Sequence, residues 1–139
     1  MVSNKDIFSS NSLDIPNKYK KDTINRFGKK SYKLAYKNIN KMSENFFNSY
    51  QKTLDNLFKK ISKYMDNYNY NSKKIQKLIA KHYKLVNNIN TVNEESYIEL
   101  ANLYSEHEEF IGFFNEYKNG LADFLYDAMI FFANKRLFV

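Results

Sequence analysis

From Ser43 to Tyr68 apolar side chains return every three or four residues: Phe46, Phe47, Tyr50, Leu54, Leu57, Phe58, Ile61, Tyr64, Met65 and Tyr68. A period sustained over about seven turns is that of an α-helix with one face against a core. Nothing else in the chain opposes that reading. Only three glycines and one proline interrupt 139 residues, and no stretch alternates apolar and polar side chains long enough to make a strand. The expected fold class is all-α, a compact bundle of about six or seven helices.

The remaining helices follow from the same period and from their caps. A short helix over 17–27 is stopped by Gly28, and a second, basic one carries Tyr32, Ala35, Tyr36, Ile39 and Met42. Ser43 caps the long helix, which the turn YNYNS closes. Ser72 caps the next, with Ile75, Leu78, Ile79, His82, Leu85, Val86 and Ile89 on one face. Asn93 opens a shorter helix whose Tyr97, Leu100, Ala101 and Tyr104 face inward. Ser105 and Glu108 fit a capping box for a helix bearing Phe110, Phe113 and Phe114. The last helix starts at Asn119–Gly120 and carries Leu121, Phe124, Leu125, Ala128, Phe131 and Phe132, with Met129 and Ile130 widening its apolar surface. A helix apolar over so much of its circumference is central and largely buried.

At 139 residues one domain is expected. The absence of cysteine excludes disulfides, thiolate metal sites and a cysteine nucleophile, and fits a cytoplasmic location. Neither a signal peptide nor an apolar run of membrane-spanning length is present. Charge divides along the chain. Residues 1–90 hold 19 Lys/Arg against 6 Asp/Glu, and residues 91–139 hold 3 against 9. The basic half can meet an anionic partner, but twenty asparagines beside abundant Lys, Ile and Tyr suggest biased codon usage, with lysine as the default surface residue.

Little in the chain reads as catalytic machinery. It contains no glycine-rich phosphate loop, no H-E-x-x-H, no G-x-S-x-G and no carboxylate pair with clear acid/base spacing. His82 lies on an apolar helix face without a second histidine at metal-site spacing, so a buried, hydrogen-bonded histidine is expected ahead of a haem ligand. His107, within SEHEEF, reads as a solvated helix start, and Glu106, Glu108 and Glu109 as carboxylates favoured by a helix N-terminus. The unusual feature is the aromatic load, twelve Tyr and twelve Phe without Trp. A buried tyrosine hydroxyl needs a partner or loses roughly 1–3 kcal/mol, whereas one at a groove lip offers a ligand an apolar face and a polar tip.

One spaced pattern carries a resemblance. Glu95, Leu100–Ala101, Tyr104, Phe110, Tyr117, Gly120–Leu121–Ala122, Phe124–Leu125 and Asp127–Ala128–Met129 occur in the order and spacing of the TipAS family. That family is the antibiotic-recognition domain of some MerR-type transcription activators. Upstream, Arg26–Phe27–Gly28 with Tyr32 resembles its R-W-G segment, Ser43 the start of its long helix, and Asp6-Ile7-Phe8 with Tyr19 its lead-in. The family's tryptophan is Phe27 here and the proline before its glycine is Asn119. The cysteine with which some members trap thiopeptides aligns near Val92, which excludes covalent capture.

The resemblance implies a globin-like helical fold without haem that encloses a bulky aromatic compound and uses no cofactor. It implies a single domain, with residues 1–42 a mobile arm and lid-like helices and 43–139 the helical core. Phe27, Tyr32, Tyr36, Tyr50, His82, Tyr97 and Tyr117 are the expected ligand contacts, chosen as aromatics of the arm and of helices bordering a cleft. The expected function is non-enzymatic binding of a large apolar, antibiotic-like molecule, by a stand-alone protein or by the effector half of a regulator. A start directly at the lead-in favours the effector half. No apolar run of spanning length and no helix-turn-helix or coiled coil lies within the 139 residues, so neither membrane nor direct DNA contact is expected, and any dimer would form through a DNA-binding region outside them. The competing reading is an interaction module whose basic helix 29–42 docks on nucleic acid or an acidic protein, which salt would weaken.

Overall fold

A computed structural model describes residues 37, 38, 41–89 and 91–137. Among these, all regular structure is helical: α1 Glu44–Tyr64, α2 Lys73–Ile89, α3 Glu94–Glu106, α4 Glu108–Tyr117, α5 Leu121–Phe132 and a π-helical extension Ala133–Leu137. The described residues thus hold five α-helices. The two expected before Ser43, including the basic stretch 29–42, lie largely outside the described residues.

The caps account for most boundaries. The Ser43 Oγ accepts from the Phe46 amide at 3.1 Å and starts α1. Its end comes one turn earlier than the period suggests. The Tyr64 carbonyl accepts from the amides of both Asn67 and Tyr68, closing the chain into a turn. Tyr68 is consequently 39% exposed, its ring edge-on to Tyr64 instead of in the core. Ser72 accepts from the Ile75 amide at 3.3 Å and starts α2. Asn93 and Ser96 exchange two 2.9 Å hydrogen bonds, the reciprocal box that opens α3.

The expected box at Ser105 and Glu108 is not formed. The α3 helix runs on through Glu106, and the Ser105 hydroxyl donates to the Asn102 carbonyl at 3.2 Å. His107 makes the break instead. In extended conformation it caps α4, its Nδ1 accepting from the Glu109 amide at 3.3 Å. Contrary to the expectation of a solvated residue, His107 is buried, because the break packs its ring beside Phe110. At the next junction Gly120 takes φ +90°, the left-handed region that favours glycine. A glycine has no side chain to cap α5, and the Asn115 Oδ1 supplies the acceptor, 3.2 Å from the Ala122 amide.

The central helix is α5, packed against α2, α3 and α4. Leu121, Ala122, Leu125, Ala128, Met129 and Phe132 are its buried residues, while the expected Phe124 and Phe131 are half-buried. Along α2 the fully buried face is Ile75, Leu78, Ile79 and His82, and Leu85, Val86 and Ile89 are only half-buried toward its end. Gln76, a polar residue outside the apolar period, is also buried. Its Nε2 donates to the carbonyls of Tyr70 at 2.8 Å and Ala128 at 3.1 Å, tying the α1–α2 turn to α5. No described helix is long and apolar enough to cross a membrane.

Candidate ligand-binding groove

Two polar arrangements stand out against this aromatic core, one closed and one open. The closed one centres on His82, which has no exposure. Its Nδ1 lies 2.8 Å from the Tyr97 hydroxyl and its Nε2 3.2 Å from the Tyr104 hydroxyl. A neutral imidazole has one donor and one acceptor, so one hydroxyl donates to it and the other accepts. Burial drives the imidazole down to about 4, which keeps it in that neutral form. Burial, with Tyr104 and Tyr83 nearby, likewise pushes the Tyr97 phenol well above its usual range. Both ring nitrogens are engaged, and iron ligation by His82 would require breaking one of these bonds.

The open arrangement lies between α1 and α4. Asp55 from α1 and Phe113, Glu116 and Tyr117 from α4 line a groove of about 270 Å³. The Tyr117 hydroxyl donates to Asp55 Oδ1 at 2.6 Å, and Lys59 Nζ is 3.0 Å from Oδ2. The Tyr117 bond, then Lys59, lowers the Asp55 carboxyl below its ordinary range and keeps it ionised. Burial first, and then the same Asp55 bond, raises the Tyr117 phenol. Phe113 is 51% exposed, its ring edge-on to Tyr117 at 5.7 Å. Phe58 stands behind this wall, 5.9 Å from the Tyr117 ring and 5.8 Å from His82. A continuous aromatic path therefore links the groove to the buried histidine.

The model of the TipAS antibiotic-recognition domain matches residues 19–132. The chain belongs to the TipAS family. No curated protein and no solved structure matches it significantly.

Within this TipAS domain the expected contact residues separate. Tyr117 lines the groove. Tyr97 and His82 sit together in the closed core, where a ligand reaches them only if α2 and α3 part. Tyr50 is buried apart from both, its hydroxyl donating to the Leu85 carbonyl, and burial raises its phenol. Phe27, Tyr32 and Tyr36 lie outside the described residues. Sequence reasoning missed Asp55, Phe113 and Glu116 as groove residues. The i,i+4 spacing of Phe113 and Tyr117 was the available signal. The Asp55–Tyr117 bond spans 62 positions, and no local pattern announces it. The described residues contain no group of three or more His, Cys, Asp or Glu placed to hold a metal.

Proposed function

We propose that this TipAS domain binds a bulky, aromatic, antibiotic-like compound without transforming it, and that the α1–α4 groove takes part in holding it. Membership of a family defined by antibiotic recognition carries the reading. The groove supports it, with a half-exposed aromatic ring beside a phenol and two carboxylates. At about 270 Å³ it is smaller than the ~300–1,000 Å³ of sites that engulf drug-sized molecules, so it takes one arm of such a compound. The rest of the compound would be enclosed by residues 1–42 closing over a globin-like core, an expectation that lies largely outside the described residues. As the effector half of a MerR-type regulator this closure is the input to transcription; in a stand-alone protein it lowers the free drug concentration.

A thermal-shift screen against aromatic antibiotics and dyes tests the reading. A ligand at a hundred times its Kd adds about 2.7 kcal/mol to stability, a rise of roughly 10 °C for a domain of this size. The same ligand should protect residues 1–42 from proteolysis. A panel in which no bulky aromatic compound moves the melting temperature contradicts the proposal.

A further inference from the structure

We propose that the α1–α4 groove selects positively charged aromatic groups, with a planar cation lying against Phe113 and Tyr117 and its charge met by Asp55 and Glu116. The inference rests on the small-molecule reading above and names the ligand class of that groove.

The groove's charges decide the sign. One carboxylate comes from each wall, Asp55 on α1 and Glu116 on α4. Asp55 is held ionised by its phenol and lysine partners. Glu116 is exposed and has no hydrogen bond or ion pair among the described residues. Three lysines are close in sequence to the groove residues, and Lys52, one turn before Asp55, is exposed and makes no ion pair among the described residues. Lys118 is tied to Asp66. Lys59 meets Asp55 at the rim, in an exposed i,i+4 pair of the kind that contributes little and yields readily to a competitor. An anion entering the groove therefore faces two carboxylates, and a neutral ring gains apolar contact alone. A cationic ring gains apolar contact and both charges.

The aromatic walls favour the same sign. The face of a phenyl or phenol ring is the negative end of its quadrupole and attracts cations. Phe113 is 51% exposed and edge-on to Tyr117, so the pair presents a corner into which a flat ring fits. At longer range, residues 91–139, which supply the α4 wall, carry nine acidic and three basic residues. The α1 wall belongs to residues 1–90, with nineteen basic and six acidic residues, so cation selection rests on the two carboxylates in the groove and not on the long-range field.

The test uses three bicyclic probes of similar shape with different charge: 1-methylquinolinium, quinoline at neutral pH, and 1-naphthoate. Each is titrated into the full chain in low salt while the ring signals of Phe113 and Tyr117 are followed by NMR. The cation is expected to bind about tenfold more tightly than the anion. Glu116→Gln should weaken the cation about two- to fivefold while leaving quinoline nearly unchanged. Phe113→Ala should weaken both. Quinoline or naphthoate binding as tightly as the cation overturns charge selection but leaves the small-molecule function standing, and so does an unaltered cation affinity in Glu116→Gln. Silence of the groove signals with all three probes overturns the site itself. The thermal screen with bulky compounds then decides separately whether the domain binds small molecules elsewhere.

Discussion

His82 shows how a polar side chain is tolerated at the centre of this bundle. Fully buried, it would be costly without partners. Tyr97 and Tyr104 supply both, one hydroxyl meeting the single donor of the neutral imidazole and the other its single acceptor. Tyr97→Phe removes one partner and strands Nδ1, so a loss of about 1–3 kcal/mol is expected from urea unfolding. The pH dependence follows from the same burial. The imidazole titrates at 6.5 when unperturbed and near 4 in the fold, so between these values the unfolded chain binds the extra proton. Stability from this group is complete above about pH 6.5 and falls as pH drops toward 4, by roughly 3 kcal/mol in all. Unfolding free energies measured across that range should slope in this direction, and His82→Gln should remove this part of the slope. Tyr117 acts differently, because its bond stabilises the charged form of Asp55. Tyr117→Phe should move the Asp55 titration, followed by carboxyl NMR, upward toward its ordinary value.

Among the elements, the junctions matter most. Gly120 is the only described glycine in the left-handed region, and it turns α4 into the buried α5. A Cβ there would meet Met65 Cε at 3.8 Å, an ordinary contact, so any cost comes from the backbone alone. Gly120→Ala should therefore destabilise by about 1–2 kcal/mol, readable as a lower urea midpoint with unchanged slope. Helices α2, α3 and α5 were legible because Ser72, Asn93 and Gly120 act locally and their apolar periods are clean. The α3–α4 break was legible only to within two residues. The sequence places the cap at Ser105, and the structure moves it to His107, whose ring is buried beside Phe110. Tyr68 misled for the opposite reason: it continues the period of α1, but the asparagine-rich turn takes it out of the helix.

At the scale of the whole molecule, the core and the groove differ in what a sequence can reveal. Core positions repeat along a helix, and Leu121, Leu125, Ala128 and Phe132 could be read one turn at a time. The groove joins Asp55 of α1 to Phe113, Glu116 and Tyr117 of α4, residues whose relation exists only once the two helices pack. Of its four residues only Tyr117 was singled out from sequence. The family pattern identified the domain through its scaffold, because the matched residues around Gly120 are mostly core. The central claim is that this scaffold holds a bulky aromatic molecule with the α1–α4 groove as part of the contact. The most direct measurement compares ligand-induced melting shifts of the native chain and Phe113→Ala, whose exposed ring makes a folding defect small. A rise of roughly 10 °C at saturating ligand, reduced by half or more in the variant, is the predicted result. Equal shifts in both proteins, or no shift with any aromatic compound, would contradict it.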